Sequence, residues 1–333
     1  MTNTSLEHHC CETTFHLGKL NRRAFLRGAG ALGMAAALSG LRWNPAEAQS
    51  GEVKLTWYGQ ATTKIETEGK VLFVDAFFAQ HEGGVPTQAP DLLLLTHGHA
   101  DHFGITLKLL TDFPTLNLVA NSELVRNLVA YKLASPAQVI DVNRGGRLVP
   151  GRTVASQQGL PPAKPFPDVG VQEIVMVPAD HSSALFLPPD RVPPAQGGGT
   201  FANGGEAVGY VIRFRNGFTL YHAGDTNVFE EMRLIGERFK PDLALVPIGG
   251  NFTMDPADAA YAAANLIKPR YVMPVHHAEG ARPGTISPAI YGKPDGLVQA
   301  LGPRQDIKVV IPARGQTVRL TGAGANARVE LAS

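Results

Sequence analysis

The chain has 333 residues, is 44% hydrophobic and 18% charged, and carries a formal net charge of +1. Enough apolar side chains are present for a large buried core, which excludes a chain kept disordered by low hydrophobicity and high net charge. The near-neutral balance argues against a nucleic-acid partner, because a polyanion binder normally shows a basic excess.

Arg22, Arg23 and Arg27 precede a Gly/Ala/Leu-rich stretch ending near Leu41, and Ala46 and Ala48 flank Glu47. Paired arginines, a moderately apolar stretch and an Ala-x-Ala site form the pattern of a twin-arginine export signal, with cleavage expected after Ala48. On this reading residues 1–48 engage the twin-arginine export machinery and 49–333 form one periplasmic or otherwise exported domain. The apolar stretch is too short and too rich in small residues for a transmembrane helix, so no stable membrane span is expected after cleavage. Both cysteines, Cys10 and Cys11, fall in the removed segment, which leaves no disulfide question. The segment takes with it five of 30 Lys/Arg and three of 29 Asp/Glu, leaving 25 against 26.

Residues 53–58, 62–67 and 71–75 alternate or run apolar around Gly59 and Gly69 and read as a β-meander. Residues 91–96 are continuously apolar after Asp91 and fit a buried strand with helices on at least one face. Directly behind it stand His97, His99, Asp101 and His102. A helix is expected over 121–133, with Asn121 or Ser122 as its cap and Glu123 in the first turn. Residues 158–168 are proline-rich and read as a connecting loop. A strand over 173–178 runs towards His181. The Pro/Gly-rich stretch 187–206 reads as a loop that forms a lid or substrate rim, with Arg191 able to meet an anion. Asn216 and Gly217 join strands 208–214 and 218–221 in a hairpin. Gly224 and Asp225 follow that hairpin, a helix is expected from Pro256 to Ile267, and the strand 271–275 ends at His276 and His277.

Three imidazoles and one carboxylate within six residues imply a metal. His97 and His99, two apart in extended chain, project to the same side, while Asp101 and His102 fall where Phe103 and Gly104 turn the chain. Of the 11 histidines, eight lie beyond residue 48, and seven of these adjoin strand-like apolar runs, His81 being the exception. Scattered surface histidines do not distribute in this way. His181 completes a possible three-histidine set, Asp225 is placed to bridge two cations, and His276 or His277 adds a last ligand. All these pieces sit at the carboxyl ends of expected strands, where open α/β sheets gather ligands. Imidazole and carboxylate suit one or two divalent ions, zinc foremost and manganese or iron also.

The stretch from Thr96 to His102, followed by His181, the Gly224–Asp225 turn and His276, resembles the metallo-β-lactamase superfamily. Asp180 to Ser183, Tyr221 to Thr226, Pro247 to Met254 and Pro274 to His276 look more narrowly like the branch that includes the L-ascorbate 6-phosphate lactonases. Periodicity alone gives an α/β class; the resemblance implies a four-layer αβ/βα sandwich with the metal at the seam of two halves. It further implies that His97, His99 and His181 hold one cation and Asp101, His102 and His276 the other, with Asp225 touching both. Members of the branch often have His-Tyr where this chain has His276 and His277; His276 is taken as the ligand and His277 as a neighbour. The implied activity is hydrolysis of an ester, lactone or related bond of a small molecule by a metal-held hydroxide, with Asp101 and Asp225 as catalytic residues. Backbone donors at 249–251 are expected to help hold an oxyanion. A phosphodiesterase acting on lipid or small phosphoesters shares every ligand, and a non-catalytic metal- or anion-binding exported protein is the reading of a different class.

Overall fold

The computed structural model describes residues 51–79, 81–155, 162–186, 201–277, 292–304 and 306–332. The chain divides into two units, Met1–Glu47 and Ala48–Ser333, and the described residues belong to the second. The expected signal segment, Cys10, Cys11 and Arg191 lie outside the described residues.

Strands β1 (Val53–Gly59), β2 (Thr62–Thr67) and β3 (Lys70–Val74) make the expected antiparallel meander. The parallel strands β4 (Leu92–Leu94), β5 (Asn117–Asn121) and β6 (Val139–Val142) extend it. Next come β7 (Arg147–Leu148), a small ribbon of β8 (Thr153–Val154) with β9 (Lys164–Pro165), and the long β10 (Val171–Pro178). A second ribbon pairs β11 (Ala184–Phe186) with β12 (Phe201–Asn203). Strands β13 (Val208–Phe214) and β14 (Thr219–His222) form the expected hairpin, which leads into the parallel β15 (Leu243–Pro247), β16 (Tyr271–Val275) and β17 (Lys308–Val309). Finally β18 (Thr317–Thr321) and β19 (Arg328–Leu331) return to the first sheet, β18 lying antiparallel to β1.

One sheet therefore has eight strands in the order β19-β18-β1-β2-β3-β4-β5-β6, and the other has seven in the order β17-β16-β15-β14-β13-β10-β7. Each is half antiparallel and half parallel. Helices α1 (Ala100–Phe103), α2 (Thr106–Asp112) and α3 (Ser122–Ala130) pack on the first sheet. Helices α4 (Glu231–Phe239), α5 (Pro256–Tyr261) and α6 (Pro294–Leu301) pack on the second.

The layering follows from strand alternation. Leu92 and Leu94 face the core between the sheets, while Leu93 and Leu95 face the first helical layer. In the second sheet Leu243 and Leu245 face that same inter-sheet core, while Ala244 and Val246 meet the other helical layer. Burial of each leucine is worth about 1.5–3 kcal/mol relative to exposure, so strands apolar on both faces are stable only with a layer on each side. Three apolar clusters thus separate four layers, the αβ/βα sandwich expected.

Local departures from the sequence reading have identifiable causes. The helix expected to reach 133 stops at Ala130: Lys132 takes φ +56° and the N–H groups of Leu133 and Ala134 turn back to Leu128 O. Leu133 keeps its apolar spacing because it still packs against the same cluster, although from a turn. The helix beginning at Pro256 does run to Ile267, but its second half, Ala262–Ile267, is π-helical before Lys268 turns left-handed. Parts of the two stretches expected as loops pair as ribbons, at Lys164–Pro165 and Phe201–Asn203.

Candidate metal centre

The first sheet brings β3 and β4, and the second β10, β14 and β16, to the same rim. Beyond β4, Thr96 donates both its backbone N–H (2.8 Å) and its hydroxyl (2.9 Å to Oδ2) to the carboxylate of Asp75, which lies just past β3 at φ +58°. His97 and His99 follow in extended chain. His99 also precedes the short helix α1, which carries Asp101 and His102 on its first turn. The chain thus turns ahead of these two residues, as a helical turn, and not only at Phe103 and Gly104 as the sequence suggested. The other ligand-type residues arrive from the second sheet, His181 beyond β10, Asp225 beyond β14 and His276 at the end of β16.

The side chains converge as two sets. His97 Nε2 lies 3.0 Å from His99 Nδ1, and His181 Nε2 lies 3.2 Å from that same atom. His276 Nε2 lies 3.0 Å from Asp225 Oδ2 and 3.4 Å from Asp101 Oδ2. His102 Nε2 stands 3.2 Å from Asp225 Oδ2 and 4.0 Å from Asp101 Oδ2. Asp225 Oδ2 is also 3.8 Å from His181 Nε2, so this one oxygen adjoins both sets. His97, His99 and His181 form one group able to hold an ion, Asp101, His102 and His276 another, and His97, His102 and Asp225 a third between them.

A cation fits this donor set. Burial, and then His102, push the His97 pKa well below its ordinary value, and burial lowers His99 and His181 too, so all three rings are neutral at pH 7. One ring proton cannot satisfy all three converging nitrogens, whereas a cation among them can. Their spacing is close to the roughly 3.3 Å between nitrogens held 2.0–2.1 Å from a tetrahedral zinc. Asp225 Oδ1 is buried without a hydrogen-bond partner among the described residues. Such an orphaned atom is costly in a dry site unless it faces an ion.

The second set is electrostatically different. Burial works against the charge of His102 and His276, but Asp225 outweighs it, assisted by Asp75 at His102 and by Asp101 at His276. His102 is raised well above its ordinary value and His276 stands at about 9. Burial also opposes the charge on Asp225, yet His102 and His276 hold its carboxyl well below the usual range. The donors behind the ligands fix their orientation. His102 Nδ1 donates to Asp75 Oδ2 (2.7 Å), which turns Nε2 inward, and His97 Nδ1 meets Thr96 Oγ1 at 3.0 Å with the same effect.

The geometry separates His276 from His277. His277 stacks on Trp57 with ring centroids 4.8 Å apart, and burial followed by His276 lowers its pKa to about 4, so it is a neutral packing ring beside the cluster. His222 is likewise outside both sets: its Nδ1 accepts from Gly224 N (3.2 Å) and its Nε2 therefore donates to Ala61 O (2.9 Å), fixing the turn that presents Asp225. The expected oxyanion donors are corrected in part, because Gly250 N–H is already committed to Met254 O at 2.9 Å. Asp75 and Gln60, both at the site, were not singled out from sequence; the only hint was their position at strand ends. Among the described residues no helix is long and apolar enough to cross a membrane.

A model of the β-lactamase superfamily domain matches residues 54–276. A UPF0173 metal-dependent hydrolase of Cupriavidus taiwanensis is 37% identical over 284 residues, covering 82% of this chain and 89% of that protein. One from Methanosphaerula palustris is 36% identical over 269 residues, covering 80% of this chain and 100% of that protein. Among solved structures, a metallo hydrolase from the archaeon Ignicoccus hospitalis is similar with a TM-score of 0.60 and 28% identity, over 80% of this chain and 98% of that one.

Proposed function

Because the chain belongs to the metallo-β-lactamase superfamily, as a metal-dependent hydrolase of the UPF0173 family, we propose that it cleaves an ester, lactone or related bond of a small molecule at this centre. His97, His99 and His181 hold one divalent cation, Asp101, His102 and His276 a second, and Asp225 touches both. The observation that carries this reading is the convergence of seven ligand-type side chains from both sheets on one rim, with Asp225 Oδ1 lacking a hydrogen-bond partner among the described residues. Zinc suits the mixture of imidazole and carboxylate, and manganese or iron fit the same donors.

A bound cation supplies Lewis acidity, lowering the pKa of water towards about 7 and polarising the oxygen of the scissile bond. The chain's own groups do the positioning. Asp101, whose side chain is 37% exposed, is more open than His102, His276 or Asp225 and orients the attacking water by accepting its hydrogen bond. Asp225 is ionised and buried, and it compensates positive charge at the junction of the two sets. Asp75 and Thr96 keep the inward nitrogens of His102 and His97 aimed at the centre.

Likeness to the L-ascorbate 6-phosphate lactonases puts lactones first in a substrate panel with carboxylesters and bis-(p-nitrophenyl) phosphate. His99→Ala is expected to lose bound metal together with turnover, measured by elemental analysis and by hydrolysis of the panel; full turnover by metal-stripped protein would overturn the reading. The same reading has residues 1–48 act as a twin-arginine signal and 49–333 work as the exported hydrolase. N-terminal sequencing of the periplasmic protein is expected to begin at Gln49.

A further inference from the structure

Gln60 is buried in the turn between β1 and β2, 1% exposed, with a left-handed backbone at φ +45° that is uncommon for a residue with a side chain. Its carbonyl accepts from Trp57 Nε1 (2.8 Å) and from the backbone N–H of His276 (2.9 Å). His276 is itself left-handed at φ +52°. Two unfavourable conformations, one from each sheet, are therefore locked to each other by a main-chain hydrogen bond. At the other end of the same residue, Gln60 Nε2 donates to Asp101 Oδ2 at 2.9 Å and lies 3.3 Å from His276 Nε2. Asp101 is the part-exposed member of its set and rides on a one-turn helix, so rigidity must come from a neighbour. Backbone strain of this kind persists where surrounding structure over-determines it, commonly at functional sites.

We infer that Gln60 is the positioning residue of the Asp101–His102–His276 subsite, its carboxamide fixing the carboxylate of Asp101 while its carbonyl fixes the main chain of His276. This rests on the assignment of those three residues to a cation. Asp101 Oδ2, the oxygen that faces His276 and His102, is the one that accepts the carboxamide N–H, so Gln60 holds that oxygen in place within the set, and loss of such supporting partners weakens metal binding by roughly 10- to 100-fold. The Gln60 carboxamide reaches Asp101 and His276, and the neighbouring His97–His99–His181 set is expected to be indifferent to its loss.

The test is zinc titration of the full chain after chelator stripping, read by competition with a chromogenic chelator and by native mass spectrometry. Wild type is expected to take up two ions. Gln60→Met, of similar length but with no N–H, is expected to bind the first unchanged and the second roughly 10- to 100-fold more weakly. Gln60→His, which restores a ring N–H, recovers the second. In an Asp101→Ala background Gln60→Met adds no further loss, because its partner is gone. If the methionine variant does not fold, Gln60→Glu, which sets a second acceptor against Asp101, shows the same selective loss. Unchanged uptake of both ions by Gln60→Met, or an equal additional loss in the Asp101→Ala background, overturns the role of Gln60 and leaves the ligand assignment standing. A wild-type chain that takes up no zinc overturns both.

Discussion

At the scale of single residues, the ion-pair set containing His276 makes the protein's stability depend on whether a cation is present. In stripped protein His276 is held at about 9 against an ordinary 6.5. A raised folded-state pKa contributes stability that is complete below about 6.5 and lost as pH climbs through about 9. His102, also raised, acts in the same direction. The thermal midpoint of chelator-stripped protein is expected to fall between those pH values. Zinc-loaded protein is expected to show no such fall from these rings, since imidazole must be neutral to ligate. A flat midpoint for the stripped protein across that range would mean that His276 is not paired with Asp225. Residue types and spacing made His97, His99, Asp101 and His102 legible from the chain alone, because their relation is local. Asp75 and Gln60 were not, since an ordinary strand-end aspartate and turn glutamine acquire their roles only when β3 and the β1–β2 turn meet distant histidines.

Among the elements, the turn after β14 has little freedom. Gly224 sits at φ +65°, and a Cβ there would lie 2.7 Å from Val208 O and 3.0 Å from Thr96 Cβ. Gly224→Ala is expected to destabilise by about 1–3 kcal/mol and to weaken cation uptake by displacing Asp225. Gly145→Ala provides the contrast: φ is +84° there, but a Cβ meets nothing within 4 Å, so only backbone strain of about 1 kcal/mol is expected and uptake stays intact. Urea denaturation with parallel zinc titration separates the two. Equal effects at both glycines would refute the steric account. Strands and helix starts were largely readable, through leucine runs and caps such as Asp255, whose Oδ1 accepts from Ala257 N (2.8 Å) and Asp258 N (2.9 Å). Helix ends were less so: the early stop at Ala130 and the π-helical half from Ala262 depend on packing that apolar spacing does not encode.

For the molecule as a whole, the two sheets meet across a largely apolar core that is crossed by a buried polar tie. Tyr210, on β13 of the second sheet, sends its hydroxyl to Leu95 O beyond β4 of the first, at 2.7 Å. The bond is fully buried and lies immediately before the His97 segment. Tyr210→Phe is expected to cost about 1–3 kcal/mol, read as a lower urea midpoint, because Leu95 O loses a buried donor. The pH profile of hydrolysis should stay in place, and a shifted profile would show that Tyr210 acts on the chemistry. The two-sheet architecture and its rim were inferred from resemblance; alternation by itself gave only the mixture of strands and helices. Which strands pair across long separations depends on sandwich closure, a property no short window of sequence contains.

The pairing of β1 with β18 sets Val53 opposite Leu320. An interior strand of the first sheet therefore lacks one neighbour until β18, far later in the chain, has been made, and during that interval its free edge is available for mispairing. Closure of that edge therefore depends on a contact between segments far apart in the chain, the kind of pairing that forms slowly.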